Sequence, residues 1–181
     1  MKKMDFHRFS EKYKVRRLND SDIPMIYDFC KSNTQYYRYC GQDVSVELIK
    51  NDIHALPPGC SAEQKYYLGF FEGDTFVALI DLIDGYPEED YVFIGFFMVN
   101  NAMQGKNTGS RIIENLSDYL KSVGFRMCRL GIDKDNPQSN RFWRKNGFEV
   151  IREVKQENGT VLVAEKDLTD KIALSKAPKH D

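Results

Sequence analysis

The segment from Tyr91 to Val123 limits what this chain can fold into more than any other. Its first part, Tyr91-Val92-Phe93-Ile94-Gly95-Phe96-Phe97-Met98-Val99, carries no charge and is rich in β-branched and aromatic residues. That is the composition of a buried strand. Asn100 and Asn101 end it, and Gln104-Gly105-Lys106-Asn107-Thr108-Gly109-Ser110 follow as a polar turn. Ile112, Ile113, Leu116, Tyr119, Leu120 and Val123 then recur at helical spacing, so the segment reads as strand, turn and amphipathic helix. A turn that opens a helix directly behind a strand gathers free backbone N–H groups at the positive end of the helix dipole. Such a place holds an anion, phosphate above all.

Glycine spacing narrows the choice of phosphate ligand. A P-loop needs Lys and then Ser or Thr straight after its last glycine, whereas Gly109 is followed by Ser110 and Arg111. A dinucleotide fingerprint, with glycines spaced G-x-G-x-x-G, is absent as well. The run instead resembles motif A of the GNAT superfamily of N-acetyltransferases: Gln or Arg, two residues, Gly, one residue, then Gly or Ala. Gln104, Gly105, Lys106, Thr108 and Gly109 fit it, and Asn107 stands where the family usually has its first glycine. Asn tolerates a left-handed backbone better than most residues, so the geometry survives the exchange.

A second stretch, Asn136-Pro137-Gln138-Ser139-Asn140-Arg141-Phe142-Trp143-Arg144-Lys145-Asn146-Gly147-Phe148, is similar to motif B of the same family. It lies downstream of an apolar strand, Met127 to Ile132, as the family requires. Its local logic needs no family: Asn136 is an N-cap, Pro137 a first helical residue and Gly147 a helix stop. The resemblance covers Tyr13 to Lys166. It implies an α/β (α+β) GNAT fold, with a mixed, mostly antiparallel sheet of six or seven strands, four flanking helices, and strands splayed apart between the fourth and fifth.

Around these motifs, Tyr13 to Leu18 reads as a first strand behind a polar arm (residues 1–12), and Ile23, Ile26, Tyr27 and Cys30 as one face of a first helix. Asn33 to Gly41 reads as a polar linker whose three tyrosines either cover the core or wall an acceptor pocket. A second helix runs from Ser45 to Ala55. Lys65 to Phe71 and Phe76 to Ile83 form a hairpin, as do Phe148 to Gln156 and Val161 to Lys166. A polar tail follows from Asp167. The acidic run from Asp84 to Asp90 is a solvated loop or an attractor for a cationic amine. The 181 residues fit one domain, with its core at 13–166.

The formal charge of −1 leaves no basic field for nucleic acid. Four scattered cysteines without a C-x-x-C pair suggest neither a metal site nor a disulfide framework. No signal peptide or membrane span is evident, so the expectation is a cytoplasmic protein with no membrane partner.

The resemblance implies an acetyl-CoA-dependent N-acetyltransferase whose acceptor is a primary amine of a small molecule or peptide, attacking directly in a ternary complex. Gln104, Gly105, Lys106, Asn107, Thr108, Gly109 and Ser110 would hold the pyrophosphate. Phe97, Met98 and Val99 would take the pantetheine arm along the strand edge, with Asn136 and Phe142 at its thiol end. Homodimers are common in the family.

Two departures concern catalysis. Trp143 stands where the family often has an acidic tyrosine, and Phe93 and Gly95 stand where it often has a base. Asp81, a carboxylate inside an otherwise apolar strand, is the catalytic candidate, ahead of Asp84 and Tyr91. The competing readings are an acyl-CoA-binding regulatory domain without turnover and a nucleotide-binding protein.

Overall fold

The computed structural model describes residues 4–40, 43–157 and 159–169. Seven strands, β1 (Lys14–Arg17), β2 (Lys65–Glu72), β3 (Thr75–Asp84), β4 (Tyr91–Val99), β5 (Met127–Asp133), β6 (Glu149–Gln156) and β7 (Gly159–Asp167), form one sheet in the order β1-β2-β3-β4-β5-β7-β6. Every neighbouring pair is antiparallel except β4 and β5. The helices are α1 (Ile23–Ser32), α2 (Thr34–Cys40), α3 (Val46–His54), α4 (Thr108–Ser122) and α5 (Pro137–Lys145). The expected GNAT fold is therefore present, with one helix more than expected.

Apolar residues on both faces of the sheet decide how the helices lie. On one face Ile112, Ile113, Leu116 and Leu120 of α4 share a buried cluster with Val92 and Ile94 of β4. On the other, Ile26 and Phe29 of α1 and Ile49 and Ile53 of α3 join Leu79 of β3 and Met98 of β4. This sandwich buries β3 almost throughout, as its unbroken apolar run foretells.

The parallel pair shapes the site. β4 and β5 are in register only from Tyr91 to Ile94 against Met127 to Leu130. Immediately beyond, Asp81 faces Phe96 while Leu82 faces Ile94, so Gly95 has no partner and forms a bulge in β4. A bulge bends its strand and increases the local twist, and here it coincides with the point at which β4 parts from β5. Gly95 to Val99 consequently keep a free edge on that side.

Three expectations are revised. The polar arm is part of the core: Met4 and Phe9 are buried, and the N–H of Asp5 donates to the Tyr119 hydroxyl at 2.7 Å. The arm's apolar residues, Met1, Met4, Phe6 and Phe9, follow neither a helical nor a strand spacing, which hides their role. The tyrosine linker is helix α2, which runs to Cys40; Gly41 lies outside the described residues. The tail begins later than expected, because Asp167 completes β7 and Leu168 is buried; residues 170–181 and Asn158 of the second hairpin turn lie outside the described residues. Cys30 and Cys128 are buried free thiols, and Cys60 is partly exposed. Among the described residues no helix is long and apolar enough to cross a membrane.

Removing a fully buried ring at Phe9 should destabilise the fold by about 3–5 kcal/mol. Denaturant unfolding of Phe9→Ala measures this, and a loss below about 1 kcal/mol would show that the arm is only loosely attached.

Candidate active site

Two cavities meet at the splayed end of β4. The larger, of about 670 Å³, is a groove between the free edge of β4, the loop before α4, and α5. The smaller, of about 340 Å³, lies on the opposite face of β4, under α2 and α3. Successive strand residues point to opposite faces, so Phe97 lines the groove and Phe96 the smaller cavity. Tyr36 of α2 lines both, with its ring edge-on to Phe96 at 5.3 Å.

The loop is built to present amides. Gly105 and Asn107 both adopt left-handed backbone, with φ of 73° and 64°. Asn107 is the one non-glycine residue with positive φ among those described, at the position where the motif has glycine. The first backbone bond into α4 runs from the N–H of Arg111 to the C=O of Asn107 at 3.1 Å. Thr108, Gly109 and Ser110 precede it, so their amides have no acceptor within the helix. At Gly109 a Cβ would come within 3.1 Å of both Phe142 and Val99, so a larger residue would have to push these side chains back by a few tenths of an ångström where the helix start sits against β4 and α5.

Side chains hold the loop in place. The Gln104 amide Nε2 donates to Asn33 Oδ1 at 2.7 Å and to the C=O of Val99 at 3.0 Å, tying the loop to the end of α1 and to β4. Asn136 caps α5 by accepting the N–H of Ser139 at 2.9 Å. Phe142 stacks on Phe97, and Trp143 packs against Phe97, Phe142 and Phe148.

Of the expected coenzyme residues, Phe97, Met98, Val99, Gln104, Gly105, Asn107, Thr108, Gly109, Ser110, Asn136 and Phe142 all line the groove. Lys106 does not: its Nζ lies on the C=O of Ala102 at 2.9 Å. The cation that does line the groove is Lys145, whose Nζ donates to Asn107 Oδ1 at 3.1 Å. It belongs to the motif B run, but nothing in the linear sequence places it beside the loop.

The smaller cavity holds Asp81. Its Oδ2 accepts from Lys65 Nζ at 2.9 Å, and the same ammonium donates to the C=O of Ala55 at 2.8 Å. Only 7% of the Lys65 side chain and 13% of the Asp81 side chain is exposed, so the pair is shielded from bulk water. Burial pushes the Asp81 carboxyl up to about 6, while the Lys65 ammonium restrains the rise. A Cβ at Gly95 would lie 2.8 Å from Asp81 Oδ2. The bulge glycine thus leaves room for the carboxylate directly beneath the point where the strands part.

Asp84 and Tyr91, the alternative candidates, line neither cavity. Asp84 is buried at the end of β3, and Tyr91 sits at the paired end of β4, its ring 5.0 Å from the Arg129 guanidinium. The acidic run after Asp84 is likewise absent from both linings. A second carboxylate comes instead from Asp52 of α3. Its one legible signal is its place four residues after Leu48, which also lines the cavity, on a helix whose neighbouring face is buried.

Residues 26–148 match the model of the acetyltransferase (GNAT) family. The chain belongs to this family: it is an N-acetyltransferase, and acetyl-CoA is its acetyl donor. Among solved structures, it is similar to an acetyltransferase from Thermus thermophilus (21% identity, TM-score 0.69, covering 86% of this chain and 97% of that one). It is also similar to the PaiA N-acetyltransferase of Thermoplasma acidophilum in complex with coenzyme A (16%, 0.62, 86% and 98%). A third such structure is a ribosomal-protein alanine N-acetyltransferase of Escherichia coli (13%, 0.63, 92% and 99%). These likenesses are of fold. A search of curated protein sequences finds no significant match.

Breaking the buried ion pair from one side should be costly, because it strands a charge. Lys65→Met is expected to destabilise the protein by about 3–5 kcal/mol, and the double variant Lys65→Met/Asp81→Leu by clearly less than that. Equal losses in denaturant unfolding would show that the two groups are not coupled.

Proposed function

We propose that the enzyme moves an acetyl group from acetyl-CoA to the primary amine of a small molecule or peptide, with both substrates held at once. The observation that carries this reading is the pair of cavities on opposite faces of β4, meeting at Tyr36 where the strand parts from β5. Among the described residues no cysteine lines either cavity, so direct transfer is favoured over an acylated thiol on the enzyme.

The groove suits the coenzyme. The amides of Gly105, Thr108, Gly109 and Ser110 receive the pyrophosphate, Asn107 sets the turn, and Lys145 and the exposed Lys106 supply positive charge. The free edge of β4 at Phe97, Met98 and Val99 receives the amide-bearing arm as an added strand, with Gln104 holding the Val99 carbonyl in place. Asn136 and Phe142 bound the thiol end. Bound there, the coenzyme supplies an acetyl group activated as a thioester.

Asp81 acts on the acceptor. An amine attacks only when neutral, and a carboxylate lifted to about 6 takes a proton better than an ordinary surface aspartate. Lys65 fixes its orientation. Trp143 donates no useful proton, so the thiolate leaves as an anion and is protonated by solvent. Holding both partners in place supplies much of the acceleration.

Mixing acetyl-CoA and a primary amine should release free thiol, and Gly109→Val should weaken coenzyme affinity by about tenfold or more, since the added carbons crowd Phe142 and Val99. Stabilisation by CoA with no thiol release across a broad amine panel would favour a binding domain without turnover.

The pH profile tests Asp81 separately. A base works only when ionised, so kcat/KM should fall as pH drops below about 6. In Asp81→Asn that acidic limb should vanish and kcat should drop by about a hundredfold or more. An unchanged limb in the variant would remove Asp81 from the reaction.

A further inference from the structure

The charge of the smaller cavity and the character of its walls together describe the acceptor. Among the described residues its lining carries two carboxylates, Asp52 and Asp81. Lys65 serves both. Its Nζ lies 2.9 Å from Asp81 Oδ2, and its charge also acts on Asp52, where burial pushes the carboxyl up and the ammonium restrains the rise. With all three groups ionised, the cluster holds one negative charge in excess. The rest of the described wall is aromatic, as at Tyr36, Phe93 and Phe96, or aliphatic, as at Leu48 and Leu56. Its uncharged polar side chains are those of Tyr36 and Tyr37, and the Tyr37 hydroxyl is engaged with Cys30.

An excess of one charge limits what the acceptor can bring. A single ammonium neutralises the cluster on entry. It then gives one proton to Asp81, the neutral nitrogen forms the N–C bond as the C–S bond breaks, its second proton passes to water, and the thiolate takes a proton from water. Asp81 is now uncharged, and Lys65, released from it, balances Asp52. The cavity is neutral before and after the transfer. A second ammonium on a compact molecule would leave a positive surplus at both stages, and a carboxylate would face Asp52 and Asp81. Charges left unbalanced in a shielded site are costly. Walls of rings and aliphatic groups suit an apolar body, give added hydroxyls few partners, and present ring faces that favour the entering cation.

Resting on the assignment of this cavity to the acceptor, we infer that the acceptor is a compact monoamine with an apolar alkyl or aryl body and no second charge. Asp52 is a specificity residue: it sets the charge that the cavity accepts and takes no proton itself. Compact diamines, amino acids and amino sugars fall outside the class.

The test compares an alkyl monoamine, the diamine of equal chain length, the corresponding amino acid and an amino sugar. Each is titrated calorimetrically into the CoA-saturated enzyme, and each is assayed with acetyl-CoA for thiol release. The wild type should bind and turn over the monoamine about tenfold or more better than any of the others. Leu48 lies one helical turn before Asp52 and lines the same cavity, so Leu48→Asp adds a second negative charge in excess. The ratio of diamine to monoamine kcat/KM should then rise by about tenfold or more. Asp52→Asn, which leaves the cluster neutral before the acceptor enters, should instead raise KM for the monoamine by about tenfold. A wild type that binds any of the other three as well as the monoamine overturns the inference, as does a monoamine that fails to bind, a ratio unmoved by Leu48→Asp or a KM unmoved by Asp52→Asn. Thiol release with the diamine or the amino sugar alone would uphold acetyl transfer while overturning this acceptor. Failure of CoA itself to bind would refute the assignment of the two cavities, a result the calorimetry reports separately.

Discussion

The site depends on a limited pairing. β4 and β5 share a parallel register over Tyr91 to Ile94 and then separate, because Gly95 bulges and turns β4 away. The separation leaves an unused strand edge on one side of the gap and an opening between the two sheet faces. A sheet zipped to its end would have neither. The apolar clusters on the two faces, α4 on one and α1 with α3 on the other, keep the opened strand from collapsing onto its neighbour.

The two sides of the gap differ in electrostatics. The groove presents amides at the start of α4 together with Lys145, an environment for a polyanion. The smaller cavity presents two carboxylates in apolar surroundings, an environment for a cation. The proposed assignment of donor to the groove and acceptor to the smaller cavity agrees with this difference, and Tyr36 lies between the two.

Much of this was legible in the sequence. Strand, turn and helix from Tyr91 onward follow from composition and periodicity, and Asn107 takes the left-handed backbone that its place in the motif implies. The acceptor side was not legible. α2 reads as a linker in sequence because its tyrosines show no helical stripe, and Asp52 resembles any polar residue on a surface helix until the fold brings α3 over β3 and β4. The acidic loop stands out by charge alone, yet it is Asp52 and Asp81, on ordered elements, that line the cavity. Met4 and Phe9 show the same limit: a short segment whose partners lie far along the chain carries no periodic signal.

A crystal structure with acetyl-CoA bound tests the central claim most directly. The account predicts the diphosphate on the amides of Gly105 and Thr108 to Ser110, the arm running along the free edge of β4, and the acetyl group facing Asp81 through the gap. A coenzyme seated elsewhere, or β4 and β5 paired along their whole length with no gap between them, would contradict it.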